Sequence, residues 1–393
     1  MSIFNSTSKY ETVKLHVEDE LLLCCARTDV NPEIKDKILS LIQNDIDWDY
    51  LLKLASRHRL MPLLYYNLNS ICPEMVPEAV LGELKDYFNA NVRKNLMMTG
   101  ELIKVLNLLE SEGITVIPYK GPVLASMAYG NIGLRQFNDL DLFIEKSNVI
   151  KAKNLLISEG YRSVLNLDHI SEFHYLKTQR EYLFLSTNRN LIEIHWNFQG
   201  PILSLPKGFK PFYNDLKLVN ITNSKVLSFN NEDLILILAL HSAKHDWGDL
   251  SLLSDIYNFI SNHDHIKWDE IINNSSFLDI KPILFITLAL CNELFDLDIP
   301  QEVLIQIKDN NSLLKISKLI KKNLFYENSL NLTEKLYLQM NIRENKFNSI
   351  KDCVNGIIVP SFKEFEDLKL PNYLFHLYYI YRPFNLLKSY KLL

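Results

Sequence analysis

The hexapeptide Asp139-Leu140-Asp141-Leu142-Phe143-Ile144 most constrains what this chain can fold into. Its residues alternate with a period of two. It therefore reads as a strand with both carboxylates on one face and Leu140, Leu142 and Ile144 on the other. Upstream, Thr115-Val116-Ile117-Pro118-Tyr119 is consistent with another strand, and Lys120-Gly121-Pro122 turns the chain into a helix over residues 123–129 that stops at Gly130. A further helix is expected from about 148 to 158, ending at Gly160. Residues 181–186 and 191–196, joined by Thr187-Asn188-Arg189-Asn190, carry a hairpin signal.

The flanks have a different period. Leu51, Leu52, Leu54 and Ala55 follow Ile46-Asp47-Trp48-Asp49 at helical spacing, and a long helix is expected over residues 78–109. Helical patterning returns at Glu232, including residues 233–245 and 256–260. The expectation is an α+β chain: an N-terminal helical domain (1–110), an α/β core (111–228) and a C-terminal helical domain (229–393).

At 47% hydrophobic and 23% charged, the 393 residues are globular rather than disordered or fibrous. The net charge of -5 argues against a surface built for nucleic acid phosphates, so no DNA partner is expected. The five cysteines are scattered and never spaced as CxxC, which disfavours a disulfide framework or zinc ribbon. The N-terminus shows no signal-peptide pattern, and the longest purely apolar run, 234–240, falls far short of the roughly 20 residues of a bilayer span. A cytoplasmic protein without a membrane span is expected.

Chemistry concentrates in the middle unit. Two aspartates side by side on a strand repel unless a cation lies between them, and oxygen donors of this kind suit Mg²⁺ or Mn²⁺. Glu193 alternates with Ile192 and Ile194 and shares a face with His195. If its strand lies beside the Asp139 strand, three carboxylates converge, enough for two metal ions serving an acceptor oxygen and a triphosphate. An aspartate pair alone is also common on solvated edge strands. The preceding strand, Lys-Gly turn and helix start add weight, because helix N-termini favour phosphate and Lys120 and Arg135 bring positive charge. Both aspartates are expected at a solvent-facing site where substitution leaves the fold intact.

The pattern Lys120-Gly121-x-x-Leu124-Ala125-x-x-x-Tyr129, then Leu134-Arg135-x-x-x-Asp139-Leu140-Asp141-Leu142, resembles the uncharacterised nucleotidyltransferase family of bacteria, within the DNA polymerase β-like superfamily. The resemblance extends upstream to Trp48-Asp49-x-Leu51 and Ala55-x-x-His58-x-x-x-Pro62-Leu63-Leu64. Downstream it takes in Glu193-x-His195-Trp196 and His241-Ser242-Ala243-Lys244-His245-x-Trp247, so it covers residues 46–255. It implies a polymerase β-like core, a small mixed sheet with helices, and an enzyme that moves NMP from an NTP to an acceptor hydroxyl or phosphate. It also implies Asp139, Asp141 and Glu193 as ligands of two Mg²⁺ or Mn²⁺ ions, with Glu193 next to the acceptor hydroxyl. Gly121 would let the backbone approach the triphosphate, and Arg135 would lie near the phosphates or support the aspartate loop. The helix carrying His241 would close over the cleft, with Lys244 on the β- and γ-phosphates. His241 and His245 would contact base or acceptor, or serve structure alone. One departure is Gly121-Pro122, where many members of the superfamily carry Gly-Ser or Gly-Gly; proline offers neither an N–H nor a hydroxyl to a phosphate.

Other readings stay open at this level. The same site could transfer a γ-phosphate, as in a kinase or a toxin-type modifier of tRNA or protein, or only bind nucleotide. The acceptor could be a small molecule, sugar, peptide, protein or RNA. His241-x-x-x-His245 has the spacing of a zinc protease helix but Ser242 replaces the required glutamate, and His245-Asp246 with Asp255 is weak support for a phosphohydrolase. The lysines at 315, 318, 321 and 322 read as a solvated helix face, with RNA binding as the alternative. The aromatic run from Tyr373 to Tyr381 reads as packing, with an acceptor groove as the alternative.

Overall fold

Two strands bracket the Lys-Gly turn: β1 (Val116–Pro118) and β2 (Asp139–Ile144), with the helix Gly121–Tyr129 between them. The computed structural model describes residues 14–165, 167, 169–198, 215–326, 330–368 and 370–389. The chain continues through helix Val149–Ser158, β3 (Arg162–Ser163), helix His169–Thr178, β4 (Glu181–Leu185) and β5 (Leu191–His195). These strands form one sheet in the order β1-β2-β5-β4-β3. All neighbours are antiparallel except β2 and β5, which run parallel and set Asp141 opposite Glu193.

The expected hairpin is therefore β4–β5, and it places its second strand against β2. A second hairpin, β6 (Leu216–Ile221) with β7 (Ser224–Phe229), follows. The alternation of Leu216, Leu218 and Val226, Ser228 is present in the sequence but was not expected as strands; nor were β3 and helix His169–Thr178.

The pleat sorts the sheet into two faces. Leu140, Leu142, Ile144, Ile192 and Ile194 face the long helix Glu78–Ser111, meeting Met98, Leu102 and Leu106 in one apolar cluster. Phe365, Phe375 and Tyr378 join that cluster, so part of the C-terminal aromatic run packs as core while Tyr373 stays exposed. Across the sheet, Tyr119 and Phe143 belong to a second cluster that runs from Leu21 and Leu64 to Leu234, Leu284 and Leu338. Side chains from the N-terminal and C-terminal helical regions are thus buried together against the core. Lys315, Lys318 and Lys322 lie exposed on helix Asn311–Phe325, whose Leu313, Ile316 and Ile320 are buried. No helix among the described residues is long and apolar enough to cross a membrane.

The helix Asn231–Lys244 starts with an Asn230 cap and carries a buried Asp233 in its first turn. Burial, then the Glu270 charge, pushes the Asp233 carboxyl up to about 7. The protonated form is favoured in the folded state, so this group's contribution to stability is present below about pH 4 and is lost as pH rises through about 7. Asp233→Asn should therefore gain on the order of a few kcal/mol over the wild type at pH 8, and little at pH 4. Urea unfolding at the two pH values measures this; an equal effect at both would contradict it.

Candidate active site

The parallel pairing of β2 with β5 builds the site. Asp141 and Glu193 are direct cross-strand partners, and His195 follows Glu193 by one pleat on the same face. His195 is buried and held by three carboxylates. Its Nε2 lies 3.0 Å from Asp141 Oδ1 and 3.2 Å from Glu193 Oε2, and its Nδ1 lies 3.3 Å from Glu181 Oε2. Glu181 arrives through the antiparallel register of β4, where it pairs with His195. Burial opposes charge on the imidazole, but hydrogen bonds to Asp141 and Glu193 outweigh it and raise the His195 pKa. Burial likewise favours a neutral Glu181, yet His195 and Arg180 pull that carboxyl down to about 2.

Asp141 is the centre of the network. Its side chain is only 1% exposed, which corrects the expectation of a solvent-facing carboxylate. Lys120 Nζ donates to its Oδ1 at 2.6 Å, and the Tyr119 hydroxyl sits 3.4 Å from the same oxygen. Burial would raise its pKa; Lys120 and His195 overcome that and hold the carboxyl well below the usual carboxylate range. The other oxygen, Oδ2, is buried with no hydrogen-bond partner. An acceptor atom stranded in this way is costly unless something positive meets it.

Among the described residues, Asp141, Glu193 and His195 form the group whose ligand atoms could hold a metal ion, all within 4.8 Å of one another. The two carboxylates offer hard oxygen donors for a divalent cation, and the imidazole offers a nitrogen donor. Asp139 lies one pleat before Asp141, half-buried, on the wall of the adjoining cavity. Burial and the neighbouring Asp141 charge raise its pKa, against the opposing pull of Lys120.

That cavity encloses about 110 Å³ and is lined by Lys120, Asp139, Asp141, His241 and His245 together with Arg59, Arg135 and Asp255. The two histidine rings meet edge to face at 4.8 Å, His241 in the last turn of helix Asn231–Lys244 and His245 just past its end. Burial and Lys120 push His241 well below the ordinary imidazole value, and burial and Lys244 push His245 down to about 4. Both are therefore neutral at neutral pH. Crowding by protein atoms, Arg180 and Lys120 lowers Lys244 as well, although its side chain still reaches solvent.

Arg135 does not point freely into the cavity. Its Nε and Nη2 each lie 2.9 Å from the two oxygens of Asp255, whose Oδ1 also accepts from Tyr129 at 2.7 Å. The loop that carries it is pinned by the long helix: Asn91 donates to the carbonyls of Gly133 and Arg135, and Asn95 to that of Arg135. Arg135 thus ties the loop before β2 to helix Leu250–Ser261. His58 braces the same helix by accepting the Leu250 N–H at its Nδ1. The Asp255 that weakly suggested a phosphohydrolase is occupied as this arginine's partner.

Gly121 has φ of +55°, and a Cβ there would stand 3.3 Å from the carbonyl oxygen of Asp139. Close approach of the helix start to β2, rather than to any ligand, already requires glycine here. Gly121→Ala should cost about 1–2 kcal/mol of stability from the left-handed backbone alone. A thermal melt unchanged from the wild type would show that the turn relaxes freely.

Sequence reasoning missed Glu181, Arg180 and Arg59, and saw His195 only as a neighbour of Glu193. Arg180 Nε pairs with Glu181 at 2.9 Å and Arg59 Nε with Asp249 at 2.6 Å. The usable signal was the hairpin, but pairing 181 with 195 requires a five-residue connection, 186–190, centred on Asn188; a turn of 187–190 would set 181 opposite 196 instead.

No curated protein and no solved structure matches the chain. Residues 44–296, more than half of its length, match the family described as uncharacterised nucleotidyltransferase. That span contains β1 to β7, the carboxylate–histidine cluster and both cavity histidines. The chain belongs to the uncharacterised nucleotidyltransferase family.

Proposed function

We propose that this cleft binds an NTP with divalent metal and transfers its nucleotidyl group to an acceptor hydroxyl or phosphate, on a core of the polymerase β-like superfamily. One observation carries the reading. Asp141, paired across the strands with Glu193, lines a cavity that Lys120 and Arg59 also line, and one buried Asp141 oxygen is left without a partner.

Asp139, Asp141 and Glu193 would hold two Mg²⁺ or Mn²⁺ ions, with His195 available as a further donor. When bound, such ions neutralise phosphate charge and make an acceptor hydroxyl more acidic. The chain's own residues do the rest by position and charge. Lys120 and Arg59 line the cavity and would face a triphosphate; Lys244, outside that lining but within electrostatic reach of Lys120 and Arg180, would add positive charge from beside it. Because Pro122 offers no N–H, these side chains replace the donors that a helix start would otherwise supply. Neutral His241 and His245 add no charge there and suit contact with base or sugar. Glu193, less buried than Asp141, is the carboxylate suited to lie beside the acceptor hydroxyl.

A fluorescent ATP analogue titrated with Mg²⁺ and then with excess EDTA tests the binding half of this reading. Affinity should fall at least about tenfold on chelation, the loss of roughly 1.4 kcal/mol. Unchanged binding in EDTA would overturn it.

A further inference from the structure

We propose that Lys120 is a resident cation of the metal-free site, which neutralises Asp141 and swings to the nucleotide's phosphates once a divalent ion is bound. This rests on the reading of the cleft as a metal–nucleotide site.

Lys120 lies at the start of helix Gly121–Tyr129, yet its side chain is only 8% exposed and is turned back onto β2. Lysine is among the residues least often buried, and a buried ammonium needs a charged partner. Here that partner is Asp141 Oδ1, at 2.6 Å. The same oxygen already faces His195 Nε2 at 3.0 Å and the Tyr119 hydroxyl at 3.4 Å, while Oδ2 has no partner. One oxygen of Asp141 is thus crowded with donors and the other is vacant.

A metal ion held by this carboxylate would share it with the Lys120 ammonium. Two positive groups so close in a dry site repel strongly. Lys120 and the metal therefore compete for Asp141, and metal binding drives the ammonium off. Its long stem gives it somewhere to go, because Lys120 also lines the cavity shared with His241, His245 and Arg59. That cavity is where phosphates would lie, so a charge released by the metal is regained as a phosphate contact. The exchange makes metal and nucleotide binding cooperative, since either alone leaves one of the cationic or anionic partners unmet.

The test compares wild type, Lys120→Met and Lys120→Arg. Mn²⁺ binding is measured without nucleotide by the loss of free-Mn²⁺ electron paramagnetic resonance signal. Binding of α,β-methylene ATP is then measured with saturating Mn²⁺. Lys120→Met should bind Mn²⁺ about tenfold tighter than wild type and the nucleotide about tenfold weaker, while Lys120→Arg, which keeps the charge, should fall between the two in both. Loss of the ion pair will weaken the fold of Lys120→Met, so melting curves with and without Mn²⁺ are recorded. Mn²⁺ should raise its melting temperature more than that of wild type. Equal or weaker Mn²⁺ affinity in Lys120→Met overturns the competition, and unchanged nucleotide affinity overturns the transfer to phosphate. Wild type that binds no Mn²⁺ even with nucleotide present sinks the metal–nucleotide reading itself.

Discussion

Asp141→Asn should abolish transfer, by about 10³-fold or more, and should also cost about 3–5 kcal/mol of folding stability. Both effects follow from one geometry. The carboxylate pairs with Glu193 across the parallel strands and supplies the unpartnered oxygen that a cation would meet. It is also the buried counter-charge of Lys120 and a partner of His195. Asparagine keeps the shape but removes the charge, so a buried ammonium loses its compensation. Urea unfolding and turnover, measured on the same preparation, separate the two losses. Wild-type turnover in a folded Asp141→Asn would end the metal-site assignment. Wild-type stability would show instead that Lys120 finds water or another partner without cost.

Asp255→Ala should destabilise the fold by about 3–5 kcal/mol, read from the urea midpoint. Both Asp255 oxygens are held by the Arg135 guanidinium, and Tyr129 donates to one of them. Asp255 is almost fully buried, and the same removal strands a buried guanidinium. The effect should reach the site as well, because Arg135 anchors the loop that delivers Asp139. A loss below about 1 kcal/mol would place this pair among exposed salt bridges, whose worth is of that size.

Much of this was legible in the chain because strand alternation is a local signal. Asp139 shares a face with Asp141, and Glu193 with His195, by parity alone, and the Lys-Gly-Pro turn announces a helix start. The two strands' adjacency could be stated only as a condition, since parallel pairing joins residues 52 apart with helices between them. Burial was read wrongly for Asp141 for a related reason. A DxD pair looks solvent-facing until Lys120, Tyr119 and His195 are packed around its second carboxylate. The partnership of Arg135 with Asp255 spans 120 residues and leaves no local trace. Glu181 was visible as a strand residue, but its role depends on which residue of β5 stands opposite. The β6–β7 hairpin was missed although its alternation was present, because Thr222-Asn223 lacks the glycine that usually marks a two-residue turn.

On the proposed function, phosphorus moves from the nucleotide's α-position. The direct measurement is label transfer in cell extract with Mg²⁺, comparing α-labelled with γ-labelled NTPs and using Asp141→Asn as the blank. Label from the α-position alone, absent from the blank, is the predicted result, and the labelled species identifies the acceptor. Label from the γ-position alone would contradict the account and make this protein a phosphotransferase.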